Sequence, residues 1–176
     1  MNDIMLNVKN LRDMTGAGFL DCKKALEVND QNIDKSIDYL RKKGLAKASK
    51  KSSRQTNEGA IGIYSNDSKT ALIQINTETD FAAKNEVFLD FMDNIGKFVL
   101  EVENINISIE SFVKLSIDSK IINEYFTDII NKIGENIILS KLIIVPNNEK
   151  CMISTYIHNS YKKNIGKIAV VLKSKV

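Results

Sequence analysis

A single proline, Pro146, occurs in 176 residues, which excludes a proline-rich tail or linker. Histidine is as scarce, with His158 alone. A Ser-His-Asp or Cys-His arrangement needs a base oriented by a third group, and the sequence around His158 supplies none. A histidine at a strand end or turn is the simpler expectation, with contact to a partner second. The two cysteines, Cys22 and Cys151, stand far apart and form neither a disulfide framework nor a metal-binding spacing, so both are expected as reduced thiols. Charge of one sign is barely in excess, with a formal net charge of +3, which by itself implies no nucleic-acid partner. No stretch reaches the roughly 18 unbroken apolar residues of a membrane span. The first residues, MNDIMLNVKNLRD, lack the basic start and apolar centre of a secretory signal, while prior removal of a transit peptide is left open. No glycine-rich phosphate loop is present: TGAG, residues 15–18, lacks the lysine and the preceding strand that such a loop needs.

What is present fits one domain, or one small and one medium module, with an ordinary apolar fraction of 43%. Residues 1–44 are expected to form a three-helix unit. Ile4, Val8 and Leu11 recur at helical spacing, TGAG breaks the chain, and Cys22, Ala25 and Leu26 share one side of a second helix. Asn32 is a good N-cap for a third helix carrying Ile33, Ile37 and Leu40, and Gly44 is the expected stop. Residues 45–58 are expected as a short fraying helix and exposed basic linker, within a run from Arg41 to Arg54 that has seven basic residues and no acid. That run lacks the interleaved aromatics of a base-stacking surface, so a solvated linker is expected ahead of an RNA contact. The segment from Lys150 onward, with six lysines and no acid, leaves the same pair of alternatives.

Residues 59–176 change period. GAIGIYSN and TALIQINTE, joined by NDSK, predict a β-hairpin. DFAAKNEVFLDFMDNIGKFVL predicts a helix with an apolar stripe of Phe88, Phe91, Met92, Ile95, Phe98 and Val99. SIESFVKL and SKIINEYFTDIINKIGEN predict one or two more helices. IILSKLIIVP, CMISTYIHN and IGKIAVVLKS predict strands, with turns at PNNEK and NSYKKN. Paired strands with helices grouped between them specify an α+β fold whose antiparallel sheet is packed with helices. No internal repeat is found.

Two features resist a purely structural reading. On the second helix Phe19 lies at the edge of the core arc and Leu20 nearly opposite it, beside Arg12 and Lys23, which makes them candidates for a partner contact. Scattered exposed leucines are common, and that alternative stays open. At the strand-to-helix junction NTETDFAAKNE, Asp80 is expected to cap the helix, and Phe81 falls in helical register with Phe88 and Ile95.

The stretches LRDMTGAGFLDCKKAL (residues 11–26) and TETDFAAKNEVF (residues 77–88) resemble the two signature regions of bacterial-type elongation factor Ts, and KIGENI and YIHNS…IGKIAVVL are similar to later parts of that family in the same order. The resemblance implies an N-terminal module like ubiquitin-associated domains, followed by an α+β core. It implies a guanine-nucleotide exchange factor for elongation factor Tu, cytoplasmic or organellar, that makes and breaks no bonds and needs no cofactor or metal. Neither a membrane nor nucleic acid is an expected partner, and a homodimer is one candidate assembly. By position, Thr79, Asp80 and Phe81 would act on nucleotide release, with Phe81 as a wedge. Arg12, Phe19, Leu20 and Lys23 would dock the module, and His158 would also face the partner. Two departures stand out. Many members continue into a second half-core, so a short form or a fragment is expected. Phe19-Leu20 also replaces a pair that is often Met-Met. A protein-binding adaptor and an RNA-binding module are the competing functions. If the wedge is right, the apolar stripe must run out of core before Phe81 and leave the ring at least partly exposed.

Overall fold

A computed structural model describes residues 3–148 and 150–175. Three helices come first: α1 (Asp3–Thr15), α2 (Phe19–Val28) and α3 (Ile33–Lys51). Val8, Leu11, Cys22, Ala25, Leu26 and Leu40 bury one another, with Ile33 and Ile37 at the margin. Ile4, one turn before Val8, is exposed and takes no part. Gly16 turns the chain at φ +65°, a conformation open to glycine without penalty. The Asn32 side chain accepts a hydrogen bond from the Lys35 N–H and so caps α3 as its sequence predicts.

Gly44 does not stop α3. The helix continues to Lys51, so half of the expected 45–58 linker is helical and the 44/45 boundary falls inside one rod. Leu45–Lys51 are mostly good helix formers, and Gly44 serves tertiary packing instead. A Cβ at residue 44 would stand 2.7 Å from the Asn131 side-chain nitrogen, so the missing side chain lets α3 approach a later helix closely. Ala48 packs on the main core, and Lys51 donates to the Ile130 carbonyl.

The second part is a five-stranded antiparallel sheet in the order β5-β2-β1-β7-β6, with β1 Glu58–Ser65, β2 Lys69–Thr77, β5 Ile138–Pro146, β6 Cys151–Lys162 and β7 Ile165–Lys175. Asn66 closes the β1–β2 turn by accepting from the Ser68 and Lys69 N–H groups. The β6–β7 turn is tighter than NSYKKN predicts: β6 runs to Lys162 through a register shift after Ser160. A small second sheet, β3 (Ser116–Ile117) with β4 (Lys120–Ile121), was not foreseen.

Helices α5 (Glu86–Glu101), α6 (Ile109–Phe112) and α7 (Ile122–Ile133) complete the second core. Phe88, Met92, Ile95 and Val99 of α5 are fully buried with Ile73, Ile75, Phe112 and Ile122. The Tyr64 ring packs against Gly62 and Gly96, where added Cβ atoms would meet it at 2.6 and 2.2 Å. The expected long helix from Asp80 is two helices. α4 (Asp80–Ala83) is a single turn, and α5 starts afresh at Glu86 because the Asn85 side chain accepts from the Val87 N–H. That break takes Phe81 out of register with Phe88. α7 ends at Gly134 in the left-handed conformation, φ 87°, which releases the loop 134–137 toward the end of β2.

Candidate functional site

The segment that carries Phe81 leaves the sheet at the end of β2, a strand flanked by β5 and β1. Thr77 is buried, and its hydroxyl donates to the Thr79 carbonyl at 2.7 Å. Thr79, not Asp80, caps α4: its Oγ1 accepts from the Ala82 N–H. Threonine in extended backbone suits this role, and the carboxylate moves one place along into the first turn, where the helix dipole still favours it. Ala82 and Ala83 are buried beneath the turn, at 5% and 1% exposure. A one-turn helix seated on its alanines has to direct its second side chain away. Phe81 is 84% exposed, more than any other large apolar side chain among the described residues. Burying such a ring would be worth about 2 kcal/mol, a gain that the free chain forgoes.

The turn is held from outside by the loop after α7. The Glu135 carboxylate accepts from the N–H groups of Glu78 and Thr79, each at 3.0 Å, and from the Thr79 hydroxyl at 2.6 Å. In return, Glu78 Oε1 accepts from the Asn136 N–H at 2.6 Å and pairs with Arg54 at 3.4 Å. Buried Asn136 donates to the Arg54 carbonyl at 2.9 Å. Glu78 is therefore engaged structurally, and only Asp80 faces outward. Asp80 pairs with Lys84 at 2.9 Å, and that hydrogen bond holds its carboxyl below the usual carboxylate range.

The other singled-out residues form two separate places. Arg12, in the last turn of α1, is exposed, as are Phe19, Leu20 and Lys23 on α2. Leu20 is 77% exposed, which agrees with its position opposite Cys22. Lys23 reaches Glu27 at 3.8 Å. Met14, exposed on α1, adds an apolar side chain that was not anticipated. His158 lies within β6 and not at a strand end or turn. It sits opposite Ile168, and its Nδ1 is 3.1 Å from the Tyr156 hydroxyl. Among the described residues, no hydrogen bond or ion pair joins either place to Asp80, and both are distinct from the turn in sequence and element.

The basic run is largely used within the molecule. Lys43 and Lys47 both hold Asp21 at 2.7 Å, Arg41 holds Glu124 at 3.3 Å, and Arg54 holds Glu78. Four of the seven basic residues are thus paired with acids, which weakens the case for RNA contact. Hydrogen bonds from Lys43 and Lys47 hold the Asp21 carboxyl below its ordinary range. A depressed folded-state value contributes stability that is complete above the unfolded pKa, near 4, and is lost as pH falls through the lower folded value. Asp21→Asn is therefore expected to lower stability by about 1 kcal/mol at pH 7, a figure kept small by partial exposure, and by nothing measurable once Asp21 is protonated. Denaturant melts at neutral and strongly acidic pH check this, and equal wild-type and variant midpoints at pH 7 would refute it.

Residues 78–176, more than half of the chain, match the family described as Elongation factor TS. The chain belongs to the elongation factor Ts family. Elongation factor Ts of Brucella anthropi is 38% identical over 167 residues, covering 94% of this chain and 53% of that protein. The proteins of the same description from Brucella ovis and Brucella abortus are each 37% identical over the same length and shares. The chain thus spans about half the length of the curated relatives it matches. Within the elongation factor Ts match fall the Phe81 turn, the loop bearing Glu135 and Asn136, and His158, whereas α1–α3 precede it. The sequence alone does not single out Glu135, Asn136, Arg54 or Lys84. The available signal was KIGENI, one of the stretches resembling elongation factor Ts, whose glycine-then-acid order places a carboxylate just past a helix end.

Proposed function

We propose that this chain promotes release of GDP from elongation factor Tu, so that GTP can replace it. Membership of the elongation factor Ts family supports the partner, and the exposed Phe81 on a tightly held turn carries the mechanism. Phe81 enters between helices of the partner's nucleotide domain and gains there the burial it lacks in the free chain. Asp80 acts beside it. Its pairing with Lys84 is fully exposed, so a partner group can replace the lysine at little cost. Arg12, Phe19, Leu20 and Lys23 dock the helical module on the same domain, and His158 supplies a further contact from β6.

No bond is made or broken. The chain binds the nucleotide-free partner more tightly than the GDP form, and GDP weakens the chain's binding by the same ratio. A ratio of about a thousand corresponds to about 4 kcal/mol of differential contact. A buried aromatic anchor of the hot-spot class is sufficient for that. The test is release of labelled GDP from preloaded elongation factor Tu, chased with unlabelled nucleotide. Acceleration by substoichiometric chain is expected, and a rate equal to spontaneous release rejects the function.

A further inference from the structure

We infer that Glu135 is the positioning residue for the Phe81 turn, holding the ring in the orientation that the proposed exchange step needs; this rests on the exchange reading above. Three donors converge on one carboxylate, and all three belong to Glu78 and Thr79, within three residues of Phe81. Hydrogen bonds to an ionised acceptor are roughly twice as strong as neutral ones. The direction of the ring is set by the backbone at residues 79 and 80, and Thr79 is held there at its N–H, its hydroxyl and its carbonyl.

The arrangement has a counterpart in the opposite direction. Glu78 returns a carboxylate to the Asn136 N–H, so the TET and GEN segments exchange acids across the gap between them. Left-handed Gly134 aims the loop, and Asn136 anchors it to the end of α3. None of these groups needs to touch the partner. A short, isolated helical turn has little stability of its own, because nucleation fixes several dihedrals for few bonds. Without Glu135 the turn keeps its buried alanines but loses the contacts that fix Thr79, and Phe81 samples several directions. The expected loss therefore appears in the rate of the bound complex and not in how tightly it forms.

The experiment measures GDP release from elongation factor Tu over a titration of the full chain, together with amide hydrogen exchange at Glu78 and Thr79. Glu135→Ala is expected to lower the limiting rate about tenfold, to change the half-saturating concentration less than twofold, and to deprotect both amides. Added to Phe81→Ala, it is expected to cause no further loss, because an orientation no longer matters once the ring is gone. Glu135→Gln keeps an acceptor for both N–H groups and is expected to retain most of the rate and of the amide protection, so that, where Glu135→Ala folds poorly, a folded Glu135→Gln with a rate as low as Phe81→Ala or with both amides deprotected overturns the role. Retained amide protection in folded Glu135→Ala, or additive losses in the double variant, overturns the role. If wild type accelerates release and both Glu135 variants match it, this inference alone falls. If wild type gives no acceleration, the exchange reading falls and takes the inference with it.

Discussion

Phe81→Ala is expected to slow the limiting rate of GDP release about a hundredfold while leaving the chain as stable as before. The two halves of this expectation have one cause. At 84% exposure the ring contributes almost nothing to the core, so its removal falls in the surface class of substitutions, within about 0.5 kcal/mol. In the proposed complex the same ring would be a central aromatic anchor, a class of residue whose truncation costs 2 kcal/mol or more. A hundredfold loss is about 2.7 kcal/mol at 1.36 kcal/mol per decade. With the ring in its proposed role on release, the rate at saturating factor should fall more than the apparent affinity. Stopped-flow release with labelled GDP and a urea titration of the free chain read the two halves independently. An unchanged rate would remove the wedge, and a marked loss of stability would show that the turn depends on the ring.

The opposite result is expected seven residues later. Phe88 is fully buried in α5 among the strands of the sheet, and Phe88→Ala is expected to lower stability by 3–5 kcal/mol. This is a large part of the 5–15 kcal/mol that holds a typical domain together. The cost combines lost transfer energy with a cavity in a well-packed interior, the same buried cluster that holds Ile73, Ile75, Phe112 and Ile122. The midpoint of urea unfolding should fall at unchanged slope, since the surface exposed on unfolding hardly differs. Release of GDP should fall only in proportion to the unfolded fraction. Two phenylalanines one heptad apart would then separate function from folding.

Helical register alone would have given both rings the same role. What separates them is Asn85, whose side chain ends one helix and begins another. An Asn at a helix start is legible in sequence, but that this one interrupts an otherwise continuous stripe depends on how Ala82 and Ala83 seat against β1 and β2. Gly44 is the reverse case. Glycine after a lysine-rich turn suggests a stop, yet it is kept open for Asn131, a residue far away in sequence. Local signals that needed no distant partner were legible: the Asn32 cap, the β1–β2 turn, the outward Leu20 and the change of period after residue 58. The α+β class followed from the order of periods, and the exposure of Phe81 followed from the resemblance. The exchange of carboxylates between Glu78 and Glu135 was beyond reach, because it depends on two loops, 56 residues apart, meeting beside the end of α3. The absorption of the basic run into ion pairs was hidden for the same reason.

In the proposed role the chain distinguishes two states of elongation factor Tu through Phe81, and its affinity for that partner with and without GDP reads this difference directly. Binding to the nucleotide-free form is expected to be about a thousandfold tighter than to the GDP form, a ratio that shrinks toward about ten in Phe81→Ala. Equal affinities for the two forms in the wild-type chain would contradict it, since a factor without differential binding shifts no equilibrium.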